Sequence, residues 1–130
     1  LEVGTYMYEM LLALSAMSAT SGNAAFDILG AGTATITRLD YIAAKDGALT
    51  TISAWSNSMN TAQSPAATAT GGTGTTMGVA TIGAFRVTGA GTLIPSITLA
   101  NAAAANLNEN SFFRCWRVGG STATSVGDWT

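Results

Sequence analysis

The sequence has no histidine, one cysteine and one lysine, and only 9% of its residues are charged. Without an imidazole there is no Ser/His/Asp or Cys/His nucleophile pair, no two-His zinc site and no base with an unperturbed pKa near neutrality. The single Cys115 excludes an intrachain disulfide and any cysteine-rich zinc cluster. Arg38, Lys45, Arg86, Arg114 and Arg117 are scattered among seven acidic residues for a net charge of −2, so no cationic field attracts a polyanion, and nucleic acid is not an expected partner. The longest apolar stretch, residues 10–17, is broken by Ser15 and falls far short of the ~20 residues that span a bilayer. No basic region followed by an apolar run and a cleavage site opens the chain, which begins at Leu1; the expectation is a processed start or missing upstream sequence. Together these absences predict a protein without cofactor, metal or catalytic site.

What is present is small and neutral. More than half of the 130 residues are Gly, Ala, Ser or Thr, and a weakly charged surface of this kind favours assembly over a concentrated monomer. The length fits one domain with a core that needs no staples. Most of the chain alternates with period two, the pleat of a strand with one buried face. Strands are predicted at residues 33–42, 50–56, 77–88, 92–99 and 111–118, with turns rich in Gly or Asn between them. Residues 9–14 are all good helix formers, but Tyr6, Tyr8, Met10, Leu12 and Leu14 alternate and no strong N-cap precedes them, so a strand is predicted here too. In the last strand Phe112, Arg114, Trp116 and Val118 share one face, and Phe113, Cys115 and Arg117 the other. Apolar groups on both faces predict burial on two sides, between two sheets or between a sheet and a neighbouring subunit. Gly89-Ala90-Gly91 reads as a β-hairpin connection, and Pro95 makes the following run an edge or bulged strand. Residues 102–105 are one helical turn or a loop, with Asn101 as a cap, and residues 58–74 read as a long surface loop. The class is an all-β antiparallel β-sandwich or barrel, a jelly roll being the commoner closure.

A family resemblance rests on Gly4-Thr5-Tyr6-Met7-Tyr8-Glu9-Met10-Leu11-Leu12, Ala25-Phe26-Asp27-Ile28, Gly83-Ala84-Phe85-Arg86-Val87 with Gly91-Thr92-Leu93, Asn110-Ser111-Phe112-Phe113-Arg114-Cys115-Trp116-Arg117-Val118-Gly119, and the terminal Ser125-Val126-Gly127-Asp128-Trp129. This order resembles the C-terminal jelly-roll domain of tailed-bacteriophage virion proteins over nearly the whole chain. The resemblance implies a tumour-necrosis-factor-like (TNF-like) jelly-roll domain over residues 1–130, lacking upstream strands. It further implies a homotrimer on the surface of a virion, as a capsid decoration protein, head fibre or tail fibre. The partners are then other copies of the chain and virion proteins such as the major capsid protein or a fibre shaft. Tyr6, Tyr8, Phe85, Phe112 and Trp116 become the candidates for sandwich core or trimer contact.

The chemical motifs have plainer explanations. Gly71-Gly72-Thr73-Gly74 and Gly89-Ala90-Gly91 lack the continuation of a phosphate loop and read as turns. Asp40 and Asp46 are spaced like paired carboxylates or calcium ligands, but further ligands are absent, and a solvated turn is expected. Cys115 has cationic sequence neighbourhood, yet its flanking side chains point to the opposite face, so a buried structural thiol is expected. Whichever of Arg114 and Arg117 faces inward needs a partner, for which Asp128 and Glu109 are candidates. Trp55, Trp116 and Trp129 carry the alternative function, a receptor- or carbohydrate-binding module at a fibre tip that stacks on a host surface glycan.

Overall fold

A computed structural model describes residues 1–16, 23–29, 31–46, 52–60, 67–70, 77–99 and 106–122, with side chains described for residues 1–16, 28–29, 31–44, 78–97 and 106–122. The described residues form nine strands and no helix: β1 (Gly4–Ser15), β2 (Asn23–Asp27), β3 (Thr35–Asp46), β4 (Ile52–Asn60), β5 (Ala67–Thr70), β6 (Met77–Gly89), β7 (Ser96–Leu99), β8 (Asn106–Leu107) and β9 (Phe112–Gly119). They build an all-β sandwich of two antiparallel sheets. The large sheet runs β4-β3-β6-β1-β8, with β9 also paired to β1, and the small sheet runs β5-β2-β7. The first six strands pair in nested fashion, β1 with β6, β2 with β5 and β3 with β4.

The good helix formers of residues 9–14 lie in β1 because tertiary pairing overrides a weak local preference. β1 is flanked by β6 on one side and by β8 and β9 on the other, and its burial alternates strictly along all twelve residues. Tyr6, Tyr8, Met10, Leu12 and Leu14 face inward. They meet Val79, Phe85 and Val87 of β6 and Leu39, Tyr41 and Ala43 of β3, and Ile28, Leu29 and Ile97 from the small-sheet side complete the core. Each large side chain so buried contributes about 1.5–3 kcal/mol. A slip of one residue would turn the whole set outward, so the core itself specifies the register.

Gly83 shows how tightly that register is set. It lies opposite Tyr8 on β1 and Tyr41 on β3. A Cβ there would come within 2.7 Å of Tyr8 Cε1 and 2.8 Å of Tyr41 Cβ, and closer still to the Asp40 carbonyl. The missing side chain is the room that two tyrosines occupy.

Several expectations are corrected. Gly89-Ala90-Gly91 is not a hairpin: β6 ends at Gly89 in the large sheet, and the next strand, β7, begins only at Ser96 in the small one. The chain crosses between sheets because residues 91–94 are tied to residues 29–34. Thr33 N donates to Thr92 Oγ1 at 3.1 Å, Thr92 N donates to Thr33 Oγ1 at 3.0 Å, and Ala34 N donates to Thr92 O at 3.1 Å. Gly91 lies so close to the backbone of Thr33 and Ala34 that a Cβ would sit 2.6 Å from the Thr33 carbonyl carbon. Pro95 immediately precedes β7, which pairs with β2 alone, an edge position as expected. Residues 58–74 are not one long loop, since β4 runs to Asn60 and β5 occupies Ala67–Thr70. Asp40 and Asp46 do not bracket a turn; both lie within β3. Asn101, residues 102–105, Gly71-Gly72-Thr73-Gly74, Asp128 and Trp129 lie outside the described residues.

Candidate functional site

The large sheet has a second face, pointing away from the core, and its rows can be read from the register. One row runs Phe112, Leu11, Ala80, Ala44 across β9, β1, β6 and β3; the next runs Arg114, Glu9, Ile82, Ile42; the third runs Trp116, Met7, Ala84, Asp40. Ile42 and Ile82 are each 47% exposed, Phe112 45% and Trp116 39%. Beside them a groove of about 400 Å³ runs along Leu11, Ile42, Ala80, Ile82 and Phe112. Isolated surface hydrophobics are ordinary, whereas a contiguous apolar patch marks an interaction surface.

The charged pair of the second row is neutralised locally. Arg114 donates to Glu9 Oε2 through Nε at 2.8 Å and Nη2 at 2.5 Å. Its guanidinium carbon also lies 5.9 Å from the ring centroids of both Phe112 and Trp116, held between the two aromatics that flank it on β9.

The five candidate residues therefore divide. Tyr6, Tyr8 and Phe85 are core: the Tyr6 and Phe85 rings stack with centroids 5.4 Å apart, and Tyr8 lies 5.9 Å from both Phe85 and Phe113. Phe112 and Trp116 are not core; they stand on the outer face. Burial of β9 between two sheets is likewise corrected, because only Phe113 and Cys115 pack toward the core. Burial pushes the Cys115 thiol above its ordinary pKa, in keeping with a structural role.

Among the described residues the arginines find partners other than Glu109. Arg114 faces outward and pairs with Glu9, while Arg117 donates through Nη2 to Val3 O at 3.0 Å and lies 3.7 Å from Glu2. Both sets of partners come from the first nine residues, across the β1–β9 pairing, which sequence proximity could not reveal. Glu109 is exposed and makes no ion pair among the described residues, and Asp128 lies outside them. Trp55 sits in β4 opposite Ala44, with its side chain outside the description.

At the Gly119 end of the outer face the apolar rows give way to a polar corner. Thr37 is an extra residue in β3, a bulge opposite Arg86, and Arg86 Nε donates to Thr37 Oγ1 at 3.0 Å. Arg38 Nε donates to Asp40 Oδ2 at 2.6 Å, and this hydrogen bond, with the carboxylate charge, holds the Arg38 guanidinium above its ordinary pKa. Among the described residues no group of three or more His, Cys, Asp or Glu is placed to hold a metal ion, and no helix is long and apolar enough to cross a membrane. In comparisons with known proteins the chain matches no family model, no curated protein and no solved structure.

Proposed function

We propose that this chain is a non-enzymatic structural subunit of a tailed-phage virion, a homotrimeric jelly-roll domain that decorates the capsid or forms part of a fibre on the particle surface. The observation that carries this reading is the large sheet whose two faces are both apolar, one filled by the chain's own small sheet and the other bare among the described residues. Among the described residues nothing covers this face, and copies of the same chain are its simplest cover. Five strands spaced about 4.8 Å apart, the longer ones about 40 Å in length, offer roughly 800 Å², the amount each partner gives to a standard stable interface. The Arg114–Glu9 pair adds to the case, since a locally neutralised face can be covered without stranding a charge. The nested pairing of β1 with β6, β2 with β5 and β3 with β4 favours the jelly-roll form, in which a long hairpin is wrapped across two sheets. No bond is made or broken; the work is association repeated by closed symmetry.

Two measurements test this. Light scattering on the purified chain is expected to give a mass three times 13.1 kDa, and a monomer at micromolar concentration overturns the reading. Density for the chain on the surface of an intact phage particle locates it at head or tail, and its absence from particles removes the virion assignment.

A further inference from the structure

The large sheet ends in an edge distinct from its bare face. Among the described residues β9 pairs only with β1, so its other side presents unpaired backbone groups. Which groups these are follows from Ala13, whose N–H donates to Ser111 Oγ at 2.9 Å and whose carbonyl accepts from Asn108 N at 2.9 Å, both on the β8 and β9 side of β1. The register of β1 against β6 runs without a shift from Gly4 to Leu14. By alternation Leu11, Glu9 and Met7 therefore direct their backbone the same way, onto Phe112, Arg114 and Trp116. The N–H and C=O groups of Phe113, Cys115 and Arg117 are then the ones at the open edge. Natural edges are blunted by shortness, proline, lysine or a bulge. β7 follows this rule with four residues and Pro95 before it, and β8 has only two residues. β9 does not: from Phe112 to Arg117 it stays in step with β1 and has no proline, lysine or bulge, its register shift lying past Arg117. Its arginines, whose charges would keep a second strand away, are occupied within the chain, Arg114 by Glu9 and Arg117 by Val3 O.

We infer that this edge pairs antiparallel with the same edge of a second copy, about a twofold axis at Cys115, joining two large sheets into one. The strand is complementary to itself in that register. Cys115 lies opposite the partner's Cys115, Phe113 opposite the partner's Arg117, and Arg114 opposite the partner's Trp116. Each cation thus faces an aromatic ring and no like charges meet. A centre at Arg114 or at Arg117 would set an arginine against itself, and a register displaced by one residue would oppose core-side to outer-side chains. The open N–H and C=O groups of Phe113, Cys115 and Arg117 find their counterparts in the same register, the mode of strand addition at a sheet edge. Phe113 and Cys115, packed against the core but only partly buried, gain cover from the added strand. The pairing lies in the plane of the sheet, leaves the bare face open and does not rest on the virion reading. It is isologous and small, so it operates where copies are already concentrated and leaves the mass at micromolar concentration unchanged.

Amide hydrogen exchange on the full chain, and cross-linking through its single cysteine, test the pairing. Between micromolar and millimolar protein the Phe113, Cys115 and Arg117 amides are expected to slow about tenfold or more, whereas those of Arg114 and Trp116, already bonded to β1, do not change. At millimolar protein a thiol-bridging reagent of about 5 Å span, the spacing of directly opposed side chains, should give a covalent pair of twice 13.1 kDa that is lost in urea at the same concentration. Arg117→Pro removes an edge N–H that β1 does not use and is expected to cut the cross-linked yield about tenfold. A circular dichroism melt establishes that this variant is folded, and exchange in the unaltered protein decides the matter if it is not. Fast exchange at the three edge amides regardless of concentration, or cross-linking no greater than in urea, overturns the inference. The trimer mass is read separately at micromolar concentration, so either contact can fail while the other stands.

Discussion

The two faces of the large sheet are made by the same strands, with side chains alternating from one to the other, yet they end in opposite conditions. On the inner face Tyr8, Leu39, Val79, Phe85 and Val87 are almost wholly buried, and three aromatic rings lie within 6 Å of one another in sequence of contact. On the outer face Ile42, Ile82, Phe112 and Trp116 remain two-fifths to one-half exposed. Hydrophobic content does not separate them. What separates them is that the small sheet and the residue 28–34 segment arrive on one side only. A face left apolar with no cover among the described residues is evidence about partners, whereas the filled face is evidence about folding.

Changes on the two faces should therefore fail differently, and the largest effect is expected inside. Phe85→Ala removes the ring that touches both Tyr6 and Tyr8 and is expected to cost about 3–5 kcal/mol in urea unfolding; a loss below about 1 kcal/mol would mean the inner face is not the packed core. Gly83→Ala tests the same face by overfilling. The added methyl meets two tyrosines and a carbonyl from both neighbouring strands, and a cost of about 1–3 kcal/mol is expected. An unchanged midpoint would show that the β1-β6-β3 register is looser than described.

How much of this was readable beforehand depended on whether a feature is local. The alternation of Tyr6, Tyr8, Met10, Leu12 and Leu14 identified both the strand and its inner face, even against helical propensity, because period is carried by neighbours in the chain. The separation of Phe112 and Trp116 from Phe113 and Cys115 was equally visible. Which of those faces meets the core was not, since that depends on β9 pairing beside β1 about a hundred residues away. The same distance hid the pairing of Arg114 with Glu9. Gly89-Ala90-Gly91 misled for a related reason: a short glycine connection reads as a hairpin, and it is distant hydrogen bonds, those of Thr33 and Ala34 with Thr92 among them, that divert the chain to the other sheet. The corner formed by Arg38, Asp40 and Arg86 needed both the β3–β6 register and the bulge at Thr37, neither of which has a sequence signal.

A change on the outer face should spare the fold and break the assembly. Ile42 and Ile82 are cross-strand partners at the centre of that face, and Ile82→Glu is expected to shift stability of the separated subunit by no more than about 1 kcal/mol, as for other exposed positions. By light scattering the same variant should lose the trimer mass proposed for the unaltered protein. A variant that stays trimeric assigns the contact to another surface, and one that unfolds erases the distinction between the two faces.

The smallest expected effect lies at a flaw in the filled face. Tyr8 is fully buried, yet its hydroxyl has no hydrogen-bond partner. Burial, reinforced by the nearby Tyr41, pushes the Tyr8 phenol well above its ordinary pKa. The folded protein thus holds this proton at alkaline pH, where the unfolded chain, with a tyrosine pKa near 10, has released it. Protons bound by the folded state in excess of the unfolded one make stability fall as pH rises. The contribution is whole below about pH 10 and is lost progressively above it. Tyr8→Phe keeps the ring against Phe85 and Phe113, removes the unpaired hydroxyl and is expected to be neutral or to gain up to about 1 kcal/mol at neutral pH. Urea midpoints followed from pH 8 to pH 11 should decline more steeply in the unaltered protein than in the variant. Parallel declines would show that burial does not hold the Tyr8 proton, and the buried Thr81 hydroxyl, also without a partner, would then be the remaining polar flaw of the inner face.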